Sequence, residues 1–434
     1  MIDTDVVVVG GGLAGRVAAL SAARRATVSV GLVSRSETTL SGASGLVDVL
    51  GYTPDGEGPL ADPFAAIPEL PEAHPYRVVG VDGVRNGLAL FDEAVGDAYS
   101  GAGTDRNALV PTCWGRVKPT ARYPAGVEAG VASEQRPTSL VGFEELTAVD
   151  APLVADRLAD WLPYRINGIT FEFPAELDGD AGPVDATPVR MAHAFDAAET
   201  DEDGKTPVDR LVDRLGVYLD RKDRVGFPAV LGLERHDSVR AELADRLGLR
   251  VFEVPMGPPS VPGMRLEGLL ADALADAGVR VETGTSVVGV ESDGGHVDRL
   301  HLDGSEHDAW EASQFVLATG GVAGGGIRGD RRAVTEPVFG CHVETPTDPD
   351  EWGADAPLGD HPFARFGVTV DDELVPLADD DLGPTADDGS REFENLRAAG
   401  TVIGGYDFAA EKSGSGVSIA TGYAAGAGAA GDVA

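Results

Sequence analysis

The residues with the clearest chemical meaning are three glycines near the amino terminus. Gly10, Gly12 and Gly15 follow the apolar stretch VVVV and precede an alanine-rich segment, in the order G-x-G-x-x-G. Between a strand and a helix, this spacing lets the backbone approach a phosphate closely. The N–H groups and partial positive charge of the helix N-terminus then face the anion. The sequence therefore predicts a phosphate-bearing cofactor at this turn.

The end of the second strand bears on which cofactor this is. In dinucleotide sites of this type, a carboxylate about 20 residues further on holds the adenosine ribose. The chain has Ser34 and Arg35 there, with Glu37 beyond. Three interpretations remain open: FAD held in a less typical way, NADP with its 2′-phosphate on Ser34 and Arg35, or FMN, which has no adenosine.

Two further glycine-rich segments are candidate cofactor contacts. The segment SGASG follows the second strand, and we predict that Ser41 and Ser44 border a loop on which a flat ring can lie, although a flexible connection fits the same letters. The segment ATGG ends a later apolar run, and its Gly320 is predicted to turn the chain beside the nucleotide site.

The carboxyl-terminal region adds a third set of glycines. Gly404 lies in AAGTVIGG, and Ser415 and Gly416 lie in SGSGVSIATG. If the last helix starts at Ser415 and Gly416, its N–H groups could face the pyrimidine edge of a flavin and stabilise negative charge on the reduced ring.

Side chains that could act on a substrate are few. Arg116, Lys118 and Arg122 lie close together in CWGRVKPTARYP. They are predicted either to bind an anion, such as a phosphorylated substrate or the flavin phosphate, or to pair with nearby carboxylates. His361 is a candidate for proton transfer because histidine titrates near neutral pH. No catalytic residue can be assigned from the sequence.

The elements that must position these residues follow an α/β pattern. DVVVV, LAGRVAALSAARR and TVSVGLV form a strand–helix–strand unit. We predict a Rossmann-like FAD/NAD(P)-binding flavoprotein core with a large inserted α+β domain. The predicted core is discontinuous, at 1–45, 226–330 and 390–434. The large insertion spans 46–225, and a smaller second insertion spans 331–389.

The charge of the chain is strongly negative. Its 434 residues include 72 Asp and Glu against 34 Lys and Arg, a formal net charge of −38. Acidic residues spread along the whole chain are typical of salt-loving archaea, and an unusually acidic enzyme of a mesophile is the alternative. We expect the fold to need salt that screens this repulsion. Nucleic-acid binding, which needs a basic face, is not expected.

Other classes of protein find no support in the residues. The two cysteines, Cys113 and Cys341, are far apart and indicate neither a disulfide framework nor a metal site. Neither a G-x-S-x-G nor a Walker A motif is present. The start MIDTD does not resemble a signal peptide, and no apolar run reaches membrane-spanning length, so we expect a cytoplasmic protein.

Several segments together carry a specific resemblance. The pairing of SGASGLVDVLG with PPSVPGMRLE, together with the amino-terminal turn, AHPY, FGVTVDDELVP and the carboxyl-terminal glycine segments, resembles the B subunits of anaerobic glycerol-3-phosphate dehydrogenases. The resemblance covers most of the length and is weakest between about 145 and 225. It implies FMN as the cofactor, and the absence of an acid after the second strand agrees with FMN.

The resemblance also implies partners. A catalytic A subunit would carry FAD and oxidise sn-glycerol 3-phosphate to dihydroxyacetone phosphate. An iron–sulfur C subunit would anchor the pair to the membrane and pass electrons to quinone. The chain would then be peripheral to the membrane through the complex. Two other functions stay open: a non-catalytic scaffold of the same fold, and an NADP-dependent reductase.

Overall fold

The structure is a computed structural model of the 434-residue chain. It describes residues 2–35, 39–177, 188–219, 224–305, 307–357, 359–378 and 390–433. The chain divides into two compact units. Unit 1 contains residues 1–39, 48–96 and 269–434, and unit 2 contains residues 40–47 and 97–268.

The described segments hold ten α-helices and seventeen β-strands, labelled in chain order. The helices are α1 (Leu13–Ala23), α2 (Pro63–Ala66), α3 (Pro75–Val95), α4 (Ala151–Ala159), α5 (Pro188–Ala197), α6 (Pro207–Leu215), α7 (His236–Leu247), α8 (Val261–Asp276), α9 (Phe408–Glu411) and α10 (Gly414–Asp432). The strands are β1 (Ile2–Val9), β2 (Val30–Ser34), β3 (Tyr99–Ser100), β4 (Ala108–Pro111), β5 (Val117–Thr120), β6 (Tyr123–Pro124), β7 (Thr138–Phe143), β8 (Ile166–Phe171), β9 (Arg224–Pro228), β10 (Arg250–Val254), β11 (Arg280–Thr283), β12 (Ser286–Asp293), β13 (His296–Asp303), β14 (Ala309–Leu317), β15 (Arg328–Gly329), β16 (Val334–Thr335) and β17 (Leu396–Ala398).

The sheet of unit 1 is built around β1. Its order is β11-β2-β1-β14-β13-β12, and β17 pairs with the last part of β14. β1 pairs in parallel with both β2 and β14, so its valines are buried on both faces, and Val6, Val7 and Val8 have no exposed surface. The predicted strand–helix–strand unit at the amino terminus is confirmed.

Helices α1 and α10 pack against each other and against this sheet. A Cβ on Gly422 would lie 2.5 Å from the carbonyl oxygen of Ala14, and one on Gly426 would lie 2.1 Å from that of Ala18. The two contacts advance together along both helices, so the helices run parallel. Their N-termini therefore lie at the same end.

Unit 2 has its own parallel sheet, in the order β10-β9-β7-β8. The crossover from β7 to β8 contains α4, and that from β9 to β10 contains α7. Phe143, Phe195 and Phe227 are fully buried in its apolar core. Parallel strands buried by helices on their faces explain why these segments are rich in apolar residues.

The division into units differs from the predicted domains. Residues 48–96 belong to unit 1, where Gly87 on α3 packs closely on the backbone of Ile419 in α10. Residues 226–268 belong to unit 2, because β9 pairs with β7 and not with the sheet of β1. Residues 331–389 form no separate unit, and Val368 bridges to Ile403 of unit 1. A strand–helix repeat looks the same in sequence whichever sheet it joins.

Candidate functional site

The turn between β1 and α1 uses its three glycines in different ways. Gly10 has φ +123°, and a Cβ there would lie 2.1 Å from the carbonyl oxygen of Ala318. A Cβ on Gly15 would lie 1.8 Å from the carbonyl oxygen of Gly10. Gly12 differs, because among the described residues the nearest atom to its Cβ position is Thr39 Oγ1 at 3.9 Å. Packing therefore requires Gly10 and Gly15, whereas the described residues leave the space beside Gly12 open.

The start of α1 is open to an anion. Gly12 is its N-cap and has no side chain to accept from the first-turn N–H groups, and the first turn has no acidic residue. Among the described residues, the backbone N–H groups of Leu13 and Ala14 have no acceptor. Arg16 lies buried one turn further on, where its Nε donates to the carbonyl of Gly11 at 2.8 Å. This arrangement of donors suits a phosphate.

The neighbouring edge of the sheet carries hydroxyl groups. Ser34 ends β2, and the N–H of Thr285 donates to its carbonyl at 3.0 Å. Thr285 is 1% exposed, and its Oγ1 has no hydrogen-bond partner within the described residues. Arg35 is exposed beside the loop that contains Gly325, and Glu37 lies outside the described residues. No carboxylate occupies the last position of β2, as the sequence predicts.

The glycine turn after β14 is fixed on the segment that follows β17. Gly320 has φ +84°, and the N–H of Gly321 donates to Thr401 Oγ1 at 2.8 Å. A Cβ on Gly326 would lie 2.0 Å from the carbonyl oxygen of Gly320, so the loop folds tightly on itself. The Oγ1 of Thr319 is buried and has no partner in the described part of the chain. This turn follows β14, the neighbour of β1, so it shares the sheet edge with the turn at Gly10.

The start of α10 lies further along the same direction. Gly414 precedes Gly422 by about two helical turns, so α10 begins about 10 Å beyond the start of α1. Gly400 lies between them, where its Cβ position is 2.6 Å from the Cβ of Ala14. Gly404, which was predicted to contact the cofactor, donates its N–H to the carbonyl of Val368 at 3.1 Å.

Ser415 and Gly416 have protein partners that sequence reasoning did not anticipate. The N–H of Gly416 donates to the carbonyl of Asp48 at 2.7 Å, and Ser415 Oγ accepts from the N–H of Asp48 at 2.8 Å. The predicted contact of a ring with the Gly416 N–H therefore needs correction, because Asp48 already accepts it. The N–H groups of Gly414 and Ser415 have no acceptor among the described residues.

A buried polar network supports this helix start. His74 Nε2 lies 3.0 Å from Glu411 Oε2, and both residues are 2% exposed or less. The N–H of Tyr76 donates to His74 Nδ1, so the ring proton lies on Nε2 and is donated to the carboxylate. Ser413, the N-cap of α10, donates its hydroxyl to the same oxygen at 3.2 Å. The sequence offered no signal for this pair because 337 positions separate His74 from Glu411.

Two tyrosines complete the network. The hydroxyl of Tyr76 donates to the carbonyl of Val49 at 2.5 Å. The hydroxyl of Tyr406 has no partner among the described residues. Burial raises the pKa of both phenols well above their ordinary value, so both remain protonated at neutral pH.

The SGASG loop belongs to unit 2, and its small residues permit close packing. A Cβ on Gly263 of α8 would lie 2.0 Å from the carbonyl of Leu40, and the N–H of Ser260 donates to the carbonyl of Ser41 at 2.9 Å. Ser44 Oγ accepts from the N–H of Leu46 at 3.4 Å. These contacts account for the loop without a ligand.

The three clustered cations do not form one anion site. Arg122 is 5% exposed and donates to the carbonyl of Ala121 at 3.0 Å. Lys118 is half-buried on β5. Arg116 is exposed, and its guanidinium lies 5.7 Å from the centre of the Trp161 ring. Only Lys118 lies on β5, whereas Arg116 precedes the strand and Arg122 follows it, so close spacing along the chain does not bring the three side chains to one place.

His361 has a local structural role. Its Nδ1 accepts from the N–H of Ala354 at 3.0 Å, and its Nε2 lies 3.2 Å from the carbonyl of Pro357. It therefore holds the loop between residues 354 and 361. Nothing in these contacts supports the predicted proton transfer.

Neither cysteine thiol is exposed. Cys113 and Cys341 are buried free thiols, and burial raises the pKa of Cys113 to about 12.

Within the described ranges, no group of three or more His, Cys, Asp or Glu residues could hold a metal ion. A search of the same ranges found no helix that is long and apolar enough to cross a bilayer.

Comparison with known proteins agrees with this geometry. The family described as FAD binding domain matches residues 5–417. The B subunit of a probable anaerobic glycerol-3-phosphate dehydrogenase from Halobacterium salinarum is 49% identical, over 99% of this chain and 98% of the relative. The corresponding B subunit from Vibrio cholerae is 29% identical, over 98% of this chain and 95% of the relative. The Halobacterium relative agrees with the salt-adapted composition.

Solved structures show only a distant likeness. The 3-ketosteroid-Δ4-(5α)-dehydrogenase from Rhodococcus jostii aligns with 99% of this chain and 97% of its own. The sequence identity is 12% and the TM-score is 0.37, so this likeness is no basis for assigning a function. The α/β flavoprotein fold rests on the family match and on the strand–helix–strand core.

Proposed function

The chain belongs to the FAD-binding family and, within it, to the B subunits of anaerobic glycerol-3-phosphate dehydrogenase, and from this we propose that it is a redox subunit that holds a flavin. When bound, a flavin supplies reversible two-electron acceptor chemistry. The observation that carries the proposal is the parallel packing of α1 on α10, which places two open helix N-termini at one end of unit 1.

The residues divide the binding between them. The space beside Gly12 and the N–H groups of Leu13 and Ala14 suit the cofactor phosphate. The N–H groups of Gly414 and Ser415 suit a group that gains negative charge on reduction. His74 and Glu411 act indirectly, because they hold the N-cap Ser413 in place.

The cofactor we propose is FMN, with FAD as the alternative. The absence of a carboxylate at the last position of β2 favours a cofactor without adenosine. The family match and the unpartnered buried hydroxyl of Thr285 favour FAD, because an adenosine ribose or base could satisfy that hydroxyl. Mass analysis of the flavin released by denaturing the purified chain decides between them.

The proposed reaction is the oxidation of sn-glycerol 3-phosphate to dihydroxyacetone phosphate, with electrons passed towards quinone. A FAD-bearing A subunit and an iron–sulfur, membrane-anchoring C subunit are the proposed partners, and the chain would lie peripherally at the membrane through them. The naming of the relatives as B subunits supports a multi-subunit assembly. A non-catalytic scaffold of the same fold remains the second candidate, because no acid–base residue has been assigned.

Substitution of Gly12 separates these functions. Gly12→Glu places a carboxylate where the phosphate is proposed to bind, and Gly12→Gln adds the same bulk without the charge. The redox proposal expects the flavin content of the purified chain and the dehydrogenase activity of the assembled complex to fall together, and further for Glu than for Gln. Activity that persists in a complex whose Gly12→Glu chain holds no flavin would establish the scaffold. Unchanged flavin content would instead refute the proposed site.

A further inference from the structure

Unit 2 carries an exposed group of aromatic and cationic side chains that the proposed flavin site does not use. Trp114 is 52% exposed and Trp161 is 50% exposed, although the chain has only four tryptophans. Leu153, 46% exposed, lies on α4, and Trp161 lies in the turn that follows the end of this helix. We call Trp114, Arg116, Leu153, Arg157 and Trp161 the Trp–Arg patch.

A hairpin tip and a helix build this patch. The loop between β4 and β5 turns at Gly115, which has φ +69° and donates its N–H to the carbonyl of Thr112 at 3.0 Å. A Cβ on Gly115 would lie 2.5 Å from the Cβ of Arg157, so the loop rests on the stem of that side chain. The turn therefore presents Trp114 and Arg116 beside the end of α4.

Helical spacing supplies the rest of the patch. Leu153, Arg157 and Trp161 follow one another at intervals of four, which places them along one side of α4 and its end. The guanidinium of Arg116 lies 5.7 Å from the ring of Trp161, a cation–π contact that joins the hairpin to the helix. The turn at Gly115 thus joins Arg116, Arg157 and Trp161, and Trp114 lies next to it in the chain, with its ring beside Gly257.

The described part of the chain does not balance the charges of the patch. Arg116 and Arg157 have no carboxylate partner among the described residues, although the sequence has 72 acidic side chains. The position of Arg157 in the last turn of α4 suits the helix dipole, but it leaves the guanidinium exposed. Tryptophan and arginine are the residues that most often dominate the binding energy of protein interfaces.

We propose that the Trp–Arg patch is the docking surface for the other subunits of the complex, through a partner face that offers carboxylates around an apolar centre. The identity of that partner, the A and C subunits together, rests on the proposed function. The chemistry of the partner face does not, because it follows from two half-exposed indoles and from two guanidinium groups that have no carboxylate partner among the residues the structure describes.

Two other occupants fit less well. A symmetric pair of copies of this chain would bring the same patch together and oppose guanidinium groups of like charge. An anionic membrane would gain about 1 kcal/mol from each arginine near its surface, but a chain with net charge −38 is repelled by it. A partner with carboxylates does not meet the first objection, and it meets the second one less, because a folded face can limit its carboxylates to the positions opposite Arg116 and Arg157, whereas an anionic bilayer is charged throughout.

The test measures binding of this chain to the co-expressed A and C subunits in molar salt. We expect Trp114→Ala/Trp161→Ala and, separately, Arg116→Gln/Arg157→Gln to bind at least tenfold more weakly than the unaltered chain. Flavin content should be unchanged in both, so the result is independent of the flavin site. The matched control is Arg106→Gln/Arg331→Gln, which alters two exposed arginines outside the patch and should bind within about twofold of the unaltered chain.

Three results would overturn the proposal. One is binding of both patch variants that equals that of the control. Another is a dimer of this chain, detected by sedimentation, that the patch variants dissociate. The third is binding of the isolated chain to phosphatidylglycerol vesicles through the same tryptophans. If the tryptophan variant fails to fold by circular dichroism, the arginine variant decides, because its side chains are exposed.

Discussion

The first turns of α1 and α6 differ in what accepts hydrogen bonds from their backbone N–H groups. At α6, Thr206 and Asp209 form a capping box, in which the Thr206 hydroxyl accepts from the N–H of Asp209 and the Asp209 carboxylate accepts from the N–H of Thr206. At α1, the N-cap is Gly12, which has no side chain, and no acid follows in the first turn. One helix satisfies its own N–H groups and the other leaves them open.

The difference separates structure from binding. A capping box stabilises a helix but blocks its N-terminus, so α6 has no capacity for an anion. The start of α1 forgoes about 1 kcal/mol of capping and keeps its donors available. The start of α10 is intermediate, because Asp48 accepts from Gly416 while Gly414 and Ser415 have no acceptor among the described residues.

The largest loss of stability is expected at Gly10, which packing requires, and not at Gly12, which is proposed to border the phosphate. Gly10→Ala places a Cβ 2.1 Å from the carbonyl oxygen of Ala318 at a φ of +123°, so we expect the free energy of unfolding to fall by about 3 kcal/mol or more. Gly12→Ala has φ −72° and open space, so its loss should stay near about 1 kcal/mol or below. Urea unfolding in molar salt measures both.

The flavin content of the Gly12→Ala variant tests the role of this glycine further. Gly12→Ala should fold and yet hold its cofactor less tightly, because the added methyl group occupies the space beside the phosphate donors. Equal stability losses at Gly10 and Gly12 would contradict the division of roles between them.

The sequence was informative where the pattern is local. The strand–helix–strand unit and the glycine turn inside it could be predicted, because strand, turn and helix follow one another within about 30 residues. The domain boundaries could not, because whether β9 pairs with β7 or with β1 depends on contacts across about 90 positions.

The candidate site shows the same limit. The helix start near Ser415 could be located from its glycines, but the partner of Gly416 could not, because Asp48 lies more than 300 positions away. Arg116 and Arg122 are close in sequence, yet one is exposed and the other buried. Spacing along the chain does not reveal which residues a side chain will contact.

A moderate loss of stability is expected when the buried pair of His74 and Glu411 at the start of α10 is broken. His74→Ala removes the N–H that the buried carboxylate of Glu411 accepts, and it leaves a cavity, so we expect a loss of about 3 kcal/mol in the free energy of unfolding. Glu411→Gln keeps the shape and removes the charge, and it should lose less. Urea unfolding in molar salt measures these losses too. A His74→Ala chain as stable as the unaltered one would show that α10 begins correctly without this network.

The smallest loss of stability is expected at the capping box of α6, and this loss depends on pH. Hydrogen bonds from Thr206, with Arg246 nearby, lower the pKa of Asp209 to about 2, so its carboxylate stabilises the fold above its unfolded value of about 3.9. Asp209→Asn should therefore lose less than about 1 kcal/mol at neutral pH, because the group is partly exposed. The difference from the unaltered chain should shrink as the pH falls from about 4 towards 2. Urea midpoints between pH 7 and pH 2 measure this, and flavin content should not change at any pH at which the chain stays folded. A loss of flavin in Asp209→Asn would mean that the capped start of α6 also serves the cofactor, and the contrast with α1 would fail.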